Sequence, residues 1–417
     1  MGSTKQYDVV ILGGGVAGVA AAMQCGHLGL KTALVEKTIL WGGLATSGLV
    51  PIYMPLCDGK GRQVTGGIAE ELLWASIKYG PGRLPQQWTG HGQPAAQTAG
   101  GTADEELYDP GSFANRFQTF FSPHAFALGL DEALESCGAD LWLDTLACKP
   151  ILSGKGVSGI EVENKSGRIA IEARCVIDAT GEADIAFRSG AACQERGSYP
   201  SMLYQATSLE LARQAVAADN ARKAVTWRGG GAANEMDKGY DGTSPKTMGT
   251  DGKTLSAWIM ESRRIARENL LRDQAKAATD NGLGRENLYP AVLPTMHQIR
   301  MSRMIEGQET VLTDRMNQRC ETSIGLIADC RKSGAVWEVP YGALLPKKVE
   351  NLLVIGRCSS AEGYAWQVTR LIGACALTGQ VAGLAAQLAI SGNTSPSRLD
   401  VKDVQRAAEA QSITLHI

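Results

Sequence analysis

Three glycines, Gly13, Gly15 and Gly18, followed by a carboxylate at Glu36, are the residues whose types and spacing point most directly to chemistry. A Gly-x-Gly-x-x-Gly turn lets the chain reverse tightly at its first glycine and brings backbone N–H groups up to a pyrophosphate at its second. Its third lets a helix press against a sheet. Glu36 falls about 20 residues further on, where a carboxylate accepts from a ribose 2′-hydroxyl and repels a 2′-phosphate. The chemistry implied is the gripping of a dinucleotide, and these residues alone leave FAD and NAD both open.

A second set is dispersed. His297 is the best acid/base candidate among the five histidines, because a titratable imidazole on a strand can share a face with a cation. Arg62, Arg300, Arg303 and Arg370 offer planar forks suited to a carboxylate, with Arg370 and then Arg303 favoured. Glu362, Tyr364, Trp366 and Gln367 fall in one short stretch, where Tyr364 can orient a substrate and Trp366 can stack on it. Each has a plainer explanation: a satisfied core histidine, surface arginines, aromatic packing. His27, His91, His124 and His416 sit at helix ends, in a loose segment or at the last residues, and are not taken as catalytic.

The elements that must position these groups are legible in outline. Val9 to Leu12 read as a strand buried on both faces, Val16 to Leu28 as the helix after the glycines, and Lys31 to Val35 as the second strand of a βαβ unit. Trp41 to Gly48 form a glycine-rich loop, and residues 80 to 112 an irregular excursion. A helix is predicted from Pro123 to Ser136, and a strand from Asp140 to Leu146. A strand pair follows around Lys149 to Lys165, then a strand from Arg174 to Asp178. Helical periodicity covers Leu209 to Val225 and Leu255 to Ala278, with a glycine loop at Gly229 to Gly231 between them. Met296 to Ile305 reads as a strand placing His297, Ile299, Met301 and Arg303 on one face. Leu352 to Ile355 reads as a strand joining the first strand's sheet. That makes the dinucleotide domain discontinuous and places a pocket between it and a second domain.

Composition narrows the class. A chain of 417 residues with net charge −2 suits an enzyme of two or three domains and argues against nucleic-acid partners. Ten cysteines without a Cys-x-x-Cys pair disfavour zinc, clustered iron–sulfur ligation and a redox disulfide of that spacing, so no metal is expected and the reading is cytoplasmic. Leu371 to Ile390 has the length of a membrane span. Gln380 and Gln387 and its small residues suit a helix packed inside a protein, so no membrane is expected.

Cys175 to Asp184, an apolar strand running into Ala179-Thr180-Gly181, and Asn351 to Arg357, a strand ending in Gly356, join the N-terminal grip in a familiar order. Together they resemble the FAD-dependent oxidoreductase family with the glutathione-reductase-type fold, in the branch carrying a Gly-Gly-x-Ala-Thr loop (Gly42 to Thr46) and a Gly-Arg-Gln-Val segment (Gly61 to Val64). The resemblance implies an α/β protein: a discontinuous Rossmann-like FAD-binding domain (1–50, 113–195 and 336–395), an inserted α+β substrate or cap domain (51–112 and 196–335), and a tail (396–417). It implies that Gly13, Gly15, Ala17 and Gly18 hold the pyrophosphate, that Glu36 binds the adenosine ribose, and that Lys37 borders it. Gly42, Gly43 and Thr46 would line the ribityl and flavin side. Ala147 would meet adenine through its backbone, with Ala179, Thr180 and Gly181 beside the adenosine. Gly356 and Arg357 would approach the ribityl chain, although many relatives carry Gly-Asp there. The helix beginning near Gly373 would aim its N-terminus at the flavin pyrimidine edge.

The activity so implied is hydride transfer between flavin N5 and a small polar organic substrate held between two domains, with His297, Arg370, Arg303 and Tyr364 as its catalytic candidates. The alternative is a flavin electron-transfer subunit of a larger redox complex. The absence of a second Gly-x-Gly-x-x-Gly after a strand argues against a dedicated NAD(P)H domain, so electrons are expected to enter or leave through the substrate or a separate carrier. Oligomeric state is left open.

Overall fold

Val9, Val10, Ile11 and Leu12 are wholly buried, as an apolar run without polar alternation requires when both sheet faces are covered. The computed structural model describes residues 4–54, 56–81, 118–232, 244–282 and 284–417, so the predicted excursion at 80 to 112 lies almost entirely outside them, as does His91. The chain divides into two compact units, one of residues 1–45, 51–194 and 304–417, the other of 46–50 and 195–303.

The first unit is built on a seven-stranded sheet. Strand Lys5–Leu12 lies between Thr32–Val35 and Gly167–Asp178, parallel to both. Asp140–Trp142 extends the parallel edge beyond Thr32–Val35, and Leu352–Val354 pairs parallel with the end of Gly167–Asp178. The other half of that long strand carries an antiparallel meander, Gly156–Asn164 and Leu146–Ser153. Leu352–Val354 therefore joins the first strand's sheet as expected, through Gly167–Asp178.

Two helices cover one region of this sheet at very close range. In helix Ile372–Ser391, Gly379 and Gly383 lie against helix Val16–His27, where a Cβ at Gly379 would overlap the Ala17 carbonyl oxygen and one at Gly383 would fall 2.8 Å from Gln24 Cβ. This helix is long and apolar enough to cross a membrane by composition, yet 78% of its apolar window is buried inside the protein.

The second unit has an antiparallel sheet of Val225–Gly231, Ser201–Ser208 and Leu288–Val292, with the long helix Gly252–Asn281 packed on it through Met202, Tyr204, Ala206 and Ala266. Segment 46–50 belongs here because its carbonyls are bound: Ser47 O accepts from Thr295 N–H, Gly48 O from Gln298 Nε2 at 2.6 Å and Leu49 O from Trp227 Nε1 at 3.1 Å.

Several expectations are corrected. The unit boundaries move, because residues 51–81 and 304–335 group with the seven-stranded sheet. Ile68 N–H, at the start of helix Ile68–Lys78, donates to Gln380 Oε1 at 3.1 Å, and Thr65 Oγ1 donates to Leu326 O at 2.8 Å. Residues 396–417 are no loose tail: Ser323 Oγ donates to Leu415 O at 2.5 Å, and Gln405 Nε2 donates to the carbonyls of Glu321 and Ser323. The Asp140–Leu146 strand breaks at Asp144, whose φ is 48°, so its halves join different parts of the sheet. The Leu209–Val225 helix ends at Ala217; Asn220 then caps a short turn, and the β-branched run from Val225 starts a strand. Gly229 to Gly231 form the end of that strand. Side chains at Gly229 and Gly231 would overlap the carbonyls of Met202 and Pro200 on the neighbouring strand. Only Arg303–Ile305 of the Met296 to Ile305 strand is strand. Gln298 uses its side-chain amide, Oε1 accepting from Leu203 N–H at 2.7 Å and Nε2 donating to Leu203 O at 3.0 Å, where strand backbone would otherwise pair.

Candidate functional site

Three loops converge at the C-terminal ends of the parallel strands. Gly13 N–H donates to Val35 O at 2.8 Å, and Gly42 N–H donates to Gly14 O at 2.7 Å. Ala179 N–H donates to Leu12 O at 2.8 Å. Gly13 sits at φ +107°, and any Cβ there would overlap the Ala179 carbonyl. At Gly18 a Cβ would overlap Gly13 O, whereas at Gly15 it would meet nothing within 4 Å. The first and last glycines are thus required by protein packing, while the middle one borders open space. Gly43 closes the other side, its Cβ position 3.3 Å from Gly15 Cα. Trp41, which the sequence reading passed over, is buried against Gly14.

Glu36 is buried and shared: Oε2 accepts from Gly14 N–H at 2.7 Å and Oε1 from Thr38 N–H at 2.8 Å. The carboxylate is fixed beside the glycine turn, and Lys37 next to it is exposed. Thr46 is buried and begins the segment grouped with the second unit. The Ala147 carbonyl accepts from Arg188 Nη1 at 3.1 Å.

The Ala179-Thr180-Gly181 loop hangs on a carboxylate that sequence reasoning did not single out. Asp178, fully buried, takes Thr180 Oγ1 at 2.7 Å and Thr180 N–H at 3.0 Å on one oxygen, and Ile185 and Ala186 N–H at 2.9 Å each on the other. Burial pushes its pKa up, against those hydrogen bonds. Gly181, at φ +78°, offers its carbonyl to Arg357 Nε at 2.9 Å, and Arg357 Nη2 lies 3.4 Å from Glu182 Oε1. Arg357 therefore stitches the Ala179-Thr180-Gly181 loop to the loop after Leu352–Val354. Gly356 (φ +71°) abuts Ala17, 2.9 Å from its Cβ to Ala17 Cβ were a side chain present, and donates N–H to Thr378 Oγ1 at 3.0 Å.

Helix Ile372–Ser391 starts without a side-chain cap, with Gly373 buried in its first turn. Cys375 near that end is pushed up to about 12 by burial, while the charges of Arg357 and Arg370 act in the opposite sense. Both guanidinium groups therefore act on this helix start. Cys57, also raised to about 12, and Cys358, raised well above the ordinary thiol value, are held as thiols by burial.

Among the catalytic candidates, Arg370 and Tyr364 lie at the two ends of helix Ala365–Thr369, which leads into Ile372–Ser391. Trp366 Nε1 donates to Arg357 O at 2.8 Å, tying this short helix to the loop after Gly356. Tyr364 O–H donates to Asp329 Oδ2 at 2.6 Å. His297 and Arg303 belong to the second unit. His297 lines a cavity of about 80 Å³ with Trp258, Ser262, Arg263 and Gln298, and Arg303 is buried with Nη1 3.7 Å from Glu195. Arg300 reaches Ser201 Oγ at 3.4 Å, and Arg62 reaches His416 O at 3.4 Å.

The glycine cradle, the fixed acid at the end of the second strand and the close-packed helix pair define a dinucleotide-binding α/β protein. The chain belongs to the FAD-dependent oxidoreductase family, whose model matches residues 8–407. It is an FAD-binding enzyme of that family. It is 30% identical over 177 residues to a digeranylgeranylglycerophospholipid reductase of Picrophilus torridus, a match covering 42% of this chain and 39% of the relative. It is 54% identical over 46 residues to a dihydrolipoyl dehydrogenase of Bacillus subtilis, covering 11% of this chain and 10% of that protein. The matched stretches thus span well under two thirds of either curated relative. Among solved structures, it is similar to a geranylgeranyl bacteriochlorophyll reductase-like protein of Thermoplasma acidophilum. That match has TM-score 0.47 and 15% identity, covering 98% of this chain and 83% of that one.

Proposed function

We propose that this chain oxidises or reduces a small polar organic substrate by hydride exchange with its flavin. The observation that carries the reading is the cradle: a glycine with no protein atom in its side-chain direction, set between two glycines that backbone packing demands. Bound FAD supplies an isoalloxazine that accepts or donates a hydride. Gly13, Gly15, Ala17 and Gly18 would hold the pyrophosphate, Glu36 the adenosine ribose with Lys37 at its border, and Gly42, Gly43 and Thr46 the flavin side. Ala147, Ala179, Thr180 and Gly181 would flank the adenosine. Gly356 would approach the ribityl chain, and Arg357 would act by fixing the loop at Gly181. The helix start at Gly373 would favour negative charge on the flavin pyrimidine edge, since a fixed dipole needs no reorganisation.

Arg370 would orient a substrate carboxylate and Tyr364 would hydrogen-bond the substrate. His297 and Arg303 have lost the shared strand face that recommended them, and Arg303 is occupied by Glu195. Electrons would be exchanged with a separate carrier. All ten cysteines are free thiols, which agrees with a reducing, cytoplasmic setting. A second reading, in which reduced flavin gives its hydride to the substrate, draws on the likeness to a reductase.

An anaerobic titration of the FAD-loaded protein with hydroxy acids, amines and alcohols should bleach the flavin with one class. The pre-reduced protein offered enoates should instead recover its oxidised spectrum if the second reading holds. Flavin inert to every compound in both directions would overturn both. Arg370→Ala should lower turnover at least tenfold while FAD content stays at the wild-type level; equal loss of both would make Arg370 a support of the fold.

A further inference from the structure

Ile324 to Ala328 are buried in strand Ser323–Ala328, and the chain then turns through Asp329 to Ala335 before strand Val336–Pro340. Asp329 stands at the first corner, 1% exposed. One carboxylate oxygen accepts Arg331 N–H at 2.8 Å, the side-chain-to-backbone turn that aspartate makes two residues on. Its other oxygen accepts Tyr364 O–H at 2.6 Å. The ring of Tyr364 lies 6.3 Å from that of Trp337, and Thr313 Oγ1 accepts Tyr364 N–H at 3.0 Å, so ring and backbone are both held. Arg331 hydrogen-bonds the phenol oxygen from its guanidinium, which lowers the phenol's pKa against Asp329, and its Nη1 donates to Gln367 Oε1 at 2.9 Å, one helical turn before Arg370.

A phenol has a single hydrogen to give. A carboxylate acceptor at 2.6 Å makes a charge-assisted bond, roughly twice as strong as a neutral one, so a substrate does not easily win that hydrogen away. With its hydrogen given to Asp329 and one lone pair met by Arg331, the phenol oxygen can offer a further group only its remaining lone pair, so Tyr364 is an acceptor toward it. We propose that Tyr364 receives a hydrogen bond from a hydroxyl or amino group of the substrate, and that Asp329, acting through Tyr364, is the positioning residue that makes the site select donor-bearing substrates. This rests on the reading of Tyr364 and Arg370 as the substrate-facing end of the cofactor groove. It adds a choice among the candidate substrates: alcohols, hydroxy acids and amines over enoates and ketones.

Two measurements on the full-length FAD-loaded protein test it. The first needs no substrate. Burial, then the Asp329 hydrogen bond and charge, push the Tyr364 phenol up to about 12. In an ultraviolet phenolate titration, with Tyr364→Phe identifying the contribution, Asp329→Asn should bring this one transition down toward the ordinary tyrosine value. A transition that does not move would overturn the assignment of Asp329. The second uses the hydroxyl or amino compound that best bleaches the flavin, with acrylate as the donor-free comparison. Tyr364→Phe should cut kcat/KM for the donor-bearing compound about tenfold more than it cuts kcat/KM for acrylate, lowering the ratio of the two by the loss expected for one hydrogen bond. Asp329→Asn, which can turn its amide N–H toward the phenol and free the phenol's hydrogen, should lower the same ratio. Equal losses for both compounds mean a merely structural pair and sink the proposal. A flavin that no compound bleaches or re-oxidises sinks the parent reading with it; re-oxidation by acrylate with no donor-bearing compound active, or bleaching with an unchanged ratio in Tyr364→Phe, sinks this proposal alone.

Discussion

At the scale of single residues, the three glycines of the grip look alike in sequence and differ in what they answer to. Gly18 is fixed by the protein, since a methyl there overlaps Gly13 O; Gly15 has ordinary backbone angles, φ −65° and ψ 174°, and no protein atom near its side-chain direction. Gly18→Ala should therefore destabilise the apoprotein by about 1–3 kcal/mol through overpacking. Gly15→Ala should leave apoprotein melting within about 0.5 kcal/mol of wild type, as unstrained substitutions do, yet lose FAD. Melting curves of apoprotein beside the 450 nm absorbance of purified protein check both. Gly15→Ala retaining full FAD would mean the open space is not where the pyrophosphate lies. Arg357 shows the same division of labour. Its guanidinium holds Gly181 O and Glu182, so Arg357→Ala leaves a buried carboxylate short of a partner, a cost of about 1–3 kcal/mol. Its effect should appear as faster FAD loss with the flavin spectrum unchanged while bound.

At the scale of elements, the close-packed pair of helices Val16–His27 and Ile372–Ser391 would couple the two ends of the proposed cofactor groove. Gly379 and Gly383 let the backbones meet, and a Cβ at Gly379 overlaps Ala17 O while reaching 2.9 Å from Ala20 Cβ. Gly379→Ala should part the helices, lowering thermal stability and FAD content together; unchanged melting would show the interface gives way without cost. This pairing marks what the sequence could and could not disclose. The βαβ grip, the buried strands and the small-residue helix were readable because their signals are local: fixed glycine spacing, an unbroken apolar run, residues too small for a surface role. The Met296 to Ile305 strand failed because Gln298 satisfies Leu203 with its side chain, a long-range substitution that periodicity does not record. Asp329 went unnoticed for the same reason. In sequence it is an acid at a turn after a strand, and only the fold brings Tyr364, 35 residues later, to its oxygen.

At the scale of the whole molecule, the proposed site would have one ligand met by stretches far apart in the chain: the turn at Gly13 to Gly18, the loop at Gly42 and Gly43, Ala179 to Gly181, Gly356, and the helix start at Gly373. Fold topology explains why. Parallel strands end at the same edge of their sheet, so every connection leaving strands Lys5–Leu12, Thr32–Val35, Gly167–Asp178 and Leu352–Val354 does so on one side, the usual place for ligands in open α/β sheets. A ligand binding only the native state stabilises it by about 2.7 kcal/mol at a hundredfold excess over Kd, and that gain should be felt by all the stretches it touches. Hydrogen exchange followed with and without FAD should therefore show slowed amides at Gly14 to Val19, Gly42 to Ala45, Gly181 and Ile372 to Ala376 at one common FAD concentration. The meander Leu146–Ser153 and Gly156–Asn164, on the antiparallel half of the sheet, should change far less beyond Ala147. Protection confined to the N-terminal turn would mean that the grip holds a mononucleotide-sized portion and that the flavin lies elsewhere. Protection at all four stretches with different midpoints would mean more than one bound molecule.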